Sequence, residues 1–259
     1  MKKIYTRPKY LKQRKFHYCP GCGHSLVHKI LMELMDEMGI AERSICVAPA
    51  GCAVLAYDYM DIDVVEAAHG RGPAVATGIK RSVPELVVFT YQGDGDLAAI
   101  GTAESIHAAS RGEQILIVFL NNGIYGMTGG QMAPTTLKGM WASTAPRGRD
   151  PKREGYTLDL SSLLAQIPGV VYAERVSVNS PKGIRATKRA LEAGLRCQLD
   201  AEPGLALIEV LSMCPTNWKL SPLEACAWID EVMSKTFPIK VLIDRRVKSA
   251  KKASSGNVE

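Results

Sequence analysis

Leu86–Ser110 reads LVVFTYQGDGDLAAIGTAESIHAAS, and how this stretch folds decides the architecture. Leu86–Tyr91 is a largely apolar run rich in β-branched and aromatic side chains, which predicts a strand buried on both faces. QGDGD follows at once, and Leu97–Ser110 then spaces small and apolar residues as a closely packed helix does. A second continuous apolar run, ILIVFL at Ile115–Leu120, predicts the next strand, which ends in Asn121-Asn122. Strand, glycine-rich turn, helix and strand make up the repeating unit of a parallel sheet.

The same alternation extends in both directions. Ser25–Met38 has apolar residues at helical spacing and stops at Gly39, Ile45–Ala48 reads as a short buried strand, and Pro73–Arg81 reads as a helix closed before Pro84. Further on, Leu160–Ile167 is helical, Val170–Val176 extended, Lys182–Leu199 helical and Leu205–Leu211 a strand. The expected fold is α/β, a mostly parallel sheet with helices on both faces. Ligands of such sheets bind at the carboxyl ends of the strands, so the informative loops follow Tyr91, Leu120 and Leu211.

Composition narrows the class. Of 259 residues, 46% are apolar and 22% charged, enough to bury a core and too apolar for a disordered chain. The net charge of +6 comes largely from the two ends, MKKIYTRPKYLKQRK and RRVKSAKKASS, and aromatics are only 6%, which argues against a nucleic-acid binder. No apolar run is long enough to span a bilayer and no apolar segment follows the basic N-terminus, so a cytoplasmic location without membrane association is expected. In that compartment seven cysteines read as buried thiols, metal ligands or redox groups, not as a disulfide framework.

Gly93-Asp94-Gly95-Asp96-Leu97-Ala98 also fits the dinucleotide fingerprint G-x-G-x-x-G/A. That reading wants an acidic residue at the end of the next strand, where this chain has the neutral Asn121-Asn122. An aspartate inside the turn would repel a pyrophosphate directly, whereas a divalent cation between them turns the repulsion into attraction. Asp94 offers a carboxylate oxygen, Asn122 an amide oxygen, and Ile124 a backbone carbonyl, all hard ligands suited to Mg²⁺ shared with phosphates. The two glycines let the chain approach those phosphates, and a helix starting near Asp96 offers its N-terminus. Asp94 and Asn122 stand 28 residues apart, which resembles the thiamine-diphosphate pattern of GDG followed by NN. A plain β-turn with an asparagine cap is the alternative.

Cys19-Pro-Gly-Cys22-Gly-His24 is a C-x₂-C turn whose backbone amides are free to face sulfur. By itself it fits half a zinc knuckle, a redox pair or an iron–sulfur half-site, and the second C-x₂-C of a zinc ribbon is missing. Cys52 and Cys214 each follow a short apolar strand in a Pro/Gly-rich loop, so four thiolates at one sheet edge suit a [4Fe–4S] cluster. Cys46, Cys197 and Cys226 lie in apolar or helical stretches and read as packing residues. His24, His28 and His107 read as packing or surface residues. Arg71 and Lys80 are candidates for anion contacts or exposed helix charges.

Taken together, YCPGCGH, AHGRGPAVATGIK, QGDGDLAAIGTAESIHAA, FLNNGIYGMTGGQMAPTT and CPTNW resemble the β-subunit of 2-oxoacid:ferredoxin oxidoreductases, in one colinear order from about Phe16 to Trp218. The resemblance implies a diphosphate-half, thiamine-diphosphate-binding fold. It implies a [4Fe–4S] cluster on Cys19, Cys22, Cys52 and Cys214, and Mg²⁺ on Asp94, Asn122 and the Ile124 carbonyl. His69, Gly70, Arg71, Gly93, Gly95 and Asp96 would lie close to the cofactor, and Met127 and Thr128 would reach toward it. The family has G-I-G-C where this chain has Pro49-Ala50-Gly51-Cys52, which leaves Cys46 as a competitor for the third cluster position.

The implied reaction is oxidative decarboxylation of a 2-oxoacid to its acyl-CoA and CO₂, with electrons passing through the cluster to ferredoxin. The favoured substrate is the branched-chain 2-oxoisovalerate, then 2-oxoglutarate, then pyruvate. The chain has length for the diphosphate half only. The resemblance therefore implies an α-subunit carrying the pyrimidine-binding half and the activating carboxylate, with γ and ferredoxin-like δ subunits, and no catalytic residue within this chain. The expected organisation is a single domain over 1–259, with a cluster-binding segment at about 16–52 and a basic, flexible tail at about 245–259. Residues 128–155, rich in Gly, Pro, Thr and Arg, read as a mobile or subunit-facing loop. Two other classes stay open: a non-redox thiamine-diphosphate decarboxylase or synthase, which would carry no cluster, and a zinc-binding scaffold protein, which would carry zinc without thiamine dependence.

Overall fold

Both apolar runs of the deciding stretch become central strands in the computed structural model, which describes residues 6–199 and 204–246. The strands in chain order are β1 (Ser44–Pro49), β2 (Asp63–Ala67), β3 (Val87–Gly93), β4 (Leu116–Asn121), β5 (Ile124–Tyr125), β6 (Gln131–Met132), β7 (Val170–Ser177), β8 (Leu205–Leu211) and β9 (Lys240–Asp244). Seven of them form one sheet in the order β2-β1-β3-β4-β8-β7-β9, and β5 and β6 make a separate small hairpin. Every pair in the large sheet is parallel except β7 with β9.

Alternation along the inner strands feeds two cores. Phe89 and Tyr91 of β3, Leu116, Val118 and Leu120 of β4, and Ile208 and Val210 of β8 pack on one face, under the helices His24–Met38 and Pro181–Cys197. Val88, Ile117, Phe119, Leu205 and Leu207 pack on the other, under Gly72–Ser82, Thr102–Arg111 and Leu160–Ala165. Successive side chains of a strand point to opposite faces, so strands covered on both sides must be apolar throughout. This is the expected α/β fold, with helices on both faces of a mostly parallel sheet.

The expected helix over Leu97–Ser110 is interrupted. A wider π-type turn spans Gly95–Ile100, and the α-helix begins only at Thr102. The break comes where Gly101 packs on the Gly70 backbone, so closely that a Cβ on Gly101 would lie 2.6 Å from the Gly70 carbonyl oxygen. Besides the short β5–β6 hairpin, two strands of the large sheet, β2 and β9, were not foreseen. Both are edge strands with much of their surface exposed, so neither carries a continuous apolar run.

Because β1, β3, β4 and β8 run the same way, their carboxyl ends open on one edge. Cys52, Asp94, Asn122 and Cys214 follow those four ends within a few residues. No helix among the described residues is long and apolar enough to cross a membrane. The basic tail expected at about 245–259 lies, from residue 247 on, outside the described residues.

Candidate functional site

Asp94 is the first residue after β3, and burial pushes its carboxyl up to about 6, partly offset by the hydrogen bonds it accepts. Thr135 Oγ1 donates to its Oδ2 at 2.9 Å, Gly95 N donates to Oδ1 at 2.9 Å, and Ile124 N donates to Oδ2 at 3.0 Å. The same Ile124 N–H also lies 3.1 Å from Asn122 Oδ1. One backbone amide thus gathers the two side-chain oxygens expected to face a cation, and all three residues are buried.

Asp96 is buried beside them and holds the rim of the cleft. It accepts from Gly70 N at 2.6 Å, from Gln92 Nε2, and pairs with His69 Nδ1 at 2.5 Å. Gly70 adopts φ +80°, and a Cβ there would lie 2.7 Å from Gly101 N, so only glycine lets this turn sit against the π-type turn. Tyr125 closes over the glycine turn, its hydroxyl donating to the Gly95 carbonyl at 3.2 Å.

The expected cofactor residues His69, Gly93, Asp94, Gly95 and Asp96 line a single cleft. Asn122, Ile124, Met127 and Thr128 line it too. Arg71 does not: it is half-exposed and pairs with Glu104. Gly70 contributes through its bond to Asp96, from outside the lining. Lys80 turns away altogether, donating to the carbonyls of Pro84 at 2.8 Å and Leu86 at 2.6 Å, which makes it a helix-end residue.

A second cavity brings together Cys19, Cys22, Cys52 and Cys214, with His17, Tyr18 and Asn217. The C-x₂-C turn reaches it because Gly23 N bonds to the Met213 carbonyl at 3.4 Å, next to Cys214. Burial pushes the Cys22 thiol up to about 12, against a bond from the His24 backbone N–H. Cys52 also rises to about 12 through burial, and Cys214 rises for the same reason, moderated by the Asn217 side chain and backbone. Thiols so placed ionise when a cation shares the cavity. Among the described residues no three His, Cys, Asp or Glu are gathered as for a single metal ion. A polynuclear cluster is larger than one ion, so its ligands need not crowd one point, and four thiols around one cavity, from the buried Cys214 through the partly buried Cys22 and Cys52 to the exposed Cys19, two of them met by N–H donors, fit it.

Cys46 is not part of this cavity. It sits inside β1, fully buried in the core opposite Val64 and Phe89. Cys197 is buried at the end of its helix and Cys226 is partly buried on another, both away from the lining. His107 is exposed. His28 is buried, and His24 is buried yet lines both cavities.

Sequence reasoning did not single out Thr135, Gln92, Asn217 or Trp218. Trp218 Nε1 donates to the Asn122 carbonyl at 3.0 Å, and Asn217 Nδ2 to the Gly126 carbonyl at 3.0 Å. Only the CPTNW motif hinted at the last two. Nor is 128–155 a loose loop: Arg149 is buried, donating to the carbonyls of Pro134 and Thr136 at 2.7 Å each and of Tyr156 at 2.6 Å, which pins the segment internally.

The parallel sheet with an Asp–Asn pair at adjacent strand ends defines a class, the thiamine pyrophosphate enzymes: residues 50–210 match the family described as thiamine pyrophosphate enzyme, C-terminal TPP binding domain. The chain is 52% identical over 229 residues to ketoisovalerate oxidoreductase subunit VorA of Methanothermobacter thermautotrophicus, covering 88% of this chain and 48% of that protein. It is 37% identical over 214 residues to 2-oxoglutarate synthase subunit KorB of Methanocaldococcus jannaschii, covering 81% of this chain and 74% of that protein. In fold it is similar to a chain of the 2-oxoglutarate:ferredoxin oxidoreductase from Magnetococcus marinus with 2-oxoglutarate, coenzyme A and succinyl-CoA bound. That likeness has a TM-score of 0.71 at 23% identity, covering 99% of this chain and 94% of the other. The chain belongs to the 2-oxoacid:ferredoxin oxidoreductase family, among its thiamine pyrophosphate-binding subunits. It spans about half the length of the ketoisovalerate relative.

Proposed function

We propose that this chain is the diphosphate-holding subunit of an enzyme that oxidatively decarboxylates a 2-oxoacid to its acyl-CoA and CO₂ and sends the electrons through a [4Fe–4S] cluster to ferredoxin. One observation carries the reading. The Asp94–Asn122 cleft and the four-cysteine cavity share a wall, since His24, Cys52, Asn122, Gly126 and Met127 line both. A site that only binds diphosphate has no use for four converging thiols, and a zinc scaffold has no use for the cleft.

Thiamine diphosphate, when bound, supplies the electron sink for loss of CO₂. The chain's own residues hold and orient. Asp94, the Asn122 side chain and the Ile124 carbonyl would face Mg²⁺, with Thr135 fixing the Asp94 carboxylate from behind. Asp96 fixes the His69 ring at the rim. Met127, about half-exposed, presents an apolar surface to the cleft. Cys19, Cys22, Cys52 and Cys214 would hold the cluster. The cleft measures about 200 Å³, below the roughly 300–1,000 Å³ that encloses a drug-sized ligand. That supports a half-site completed by an α-subunit, with γ and δ subunits as further partners. A branched-chain 2-oxoacid is the favoured substrate, on the 52% identity to a ketoisovalerate subunit, with 2-oxoglutarate next.

The test is iron, acid-labile sulfide, zinc and thiamine diphosphate content of the anaerobically purified protein beside its Cys214→Ser variant. About four irons and four sulfides per chain, falling in the variant, is the expected result. Stoichiometric zinc, or thiamine diphosphate with no iron, would overturn the electron-transferring reading.

A further inference from the structure

The short helix Pro215–Trp218 touches both halves of the site, and Asn217 does so with one functional group. Its side-chain amide has two hydrogens, and Nδ2 donates both to Cys214 Sγ at 3.2 Å and to the Gly126 carbonyl at 3.0 Å. Gly126 belongs to the segment that leads into Met127 and Thr128 of the cleft. It stands so near the sulfurs that a Cβ there would lie 3.2 Å from Cys52 Sγ and 3.7 Å from Cys214 Sγ. Trp218, bonded to the Asn122 carbonyl at 3.0 Å, fixes the helix against the diphosphate side. The Asn217 backbone N–H also bonds to the Cys214 sulfur.

A donor to an ionised sulfur makes a charge-assisted bond, about twice as strong as a neutral one. Hydrogen bonds to the sulfurs are among the determinants of iron–sulfur reduction potentials. Reduction adds negative charge, so each donor favours the reduced form and raises the potential. We propose that Asn217 is a positioning residue that raises the reduction potential of the cluster held through Cys214 and ties that cysteine to the Gly126–Thr128 segment of the cofactor cleft, an inference that rests on the cluster reading given above. Asparagine suits the position because it aims two donors at two acceptors. Aspartate would place acceptor against acceptor, and leucine would fill the space with no donor.

The test uses the anaerobically purified, assembled enzyme. Metal analysis comes first: zinc, or no iron, in the wild type overturns the cluster reading and this inference with it. With the cluster present, protein grown with asparagine carrying nitrogen-15 in its side-chain amide is studied by pulsed EPR of the reduced state. The expected result is a nitrogen coupling that Asn217→Gln lacks, because glutamine keeps the donor without the label. In EPR-monitored redox titrations Asn217→Leu and Asn217→Asp are expected at lower potential than the wild type, with Asn217→Gln recovering most of the difference. An identical labelled spectrum in wild type and Asn217→Gln, or an unmoved potential in Asn217→Leu, overturns the role of Asn217 and leaves the cluster reading standing. If the leucine variant loses its iron, the labelling comparison alone decides.

Discussion

Asn121 donates its side-chain amide to Glu209 Oε1 at 2.7 Å, so the last residue of β4 is tied to the middle of β8 through a fully buried bond. Its Oδ1 accepts from Gly123 N at 3.1 Å. With both ends of Asn121 engaged below, strand alternation turns Asn122 toward the cleft. The two asparagines do different work: the first anchors the strand end, and the second lines the site. Glu209 continues inward to Arg175 Nε at 2.7 Å, and Arg175 reaches on to Asp159.

Arg175 is fully buried, and without it Glu209 would keep a buried charge with no cation beside it. Breaking a buried pair from one side costs about 3–5 kcal/mol, whereas replacing both members by apolar groups is often nearly neutral. Arg175→Met is therefore expected to lower the urea midpoint by more than Arg175→Met combined with Glu209→Gln, which removes the stranded charge and keeps an acceptor for Asn121. Equal losses in the single and double variants would show that the charge is not what the pair compensates.

Acid should weaken the fold through its buried histidines. His28 is fully buried, with Nε2 2.6 Å from the Tyr18 hydroxyl and Nδ1 without a hydrogen-bond partner among the described residues. Burial first, then the neighbouring His24 and His17, hold its pKa well below the ordinary value, while Tyr18, Tyr59 and Tyr91 supply the surrounding rings. Below about pH 6.5 the unfolded chain takes up a proton that the folded chain refuses, so the stability present above that pH is lost as pH falls. Between pH 6.5 and 5 the loss is on the order of 2 kcal/mol for one such histidine. Burial lowers His24 to about 3, so it contributes a second, similar loss. Urea unfolding at pH 7 and pH 5 measures the difference, from which His28→Gln should remove on the order of 2 kcal/mol, more than half of the net loss, because the raised Asp94 carboxyl takes up a proton in the folded chain over the same range and offsets part of it. An undiminished pH dependence in that variant would assign the acid loss to other groups.

What the chain disclosed in advance follows from the range of the interactions. LVVFTY, ILIVFL and LALIEVL are apolar because helices cover both faces of their strands, and that requirement is local enough to read. DVVEA and KVLID lie at sheet edges, where half-exposed strands carry a weaker pattern, and they went unread. The same division holds at the site. Asp94, Asn122 and the cysteines stand out by spacing, whereas Thr135 reaches Asp94 across 41 residues and Trp218 reaches Asn122 across 96, and no periodicity encodes such pairings. The segment 128–155 was legible as irregular backbone, but the bonds from Arg149 that hold it depend on a fold already formed.

Thr135 gives a direct probe of how the residues proposed to face the cation are oriented. Its hydroxyl bonds to the same Asp94 oxygen that accepts from Ile124 N, so Thr135→Val frees the carboxylate to rotate without removing it. Loss of such an outer-shell partner typically costs about 10–100-fold in metal affinity. Calorimetric titration of the assembled enzyme with thiamine diphosphate and Mg²⁺ should show a weakening of that order in Thr135→Val and no saturable binding in Asp94→Ala. Lys80→Met should bind as the wild type does, because Lys80 points at Pro84 and Leu86. Weak binding in Lys80→Met would mean that this lysine reaches the cofactor by a route the fold does not show.

Cys46 and Cys52 compete for the third cluster position in sequence, and their places in the sheet separate them. Cys46 packs inside β1 with no exposure, whereas Cys52, three residues past the end of that strand, lines both cavities. Cys46→Ala should keep the full iron content and lose only packing, at a cost of about 1–2 kcal/mol in unfolding free energy. Cys52→Ser should lose iron, with little change in the stability of the metal-free chain, because its side chain sits in a loop facing a cavity. Iron analysis paired with urea unfolding reads both effects on the same samples. Iron lost in Cys46→Ala and kept in Cys52→Ser would transfer the ligand role to β1, and it would require that strand to open toward the cavity when the cluster assembles.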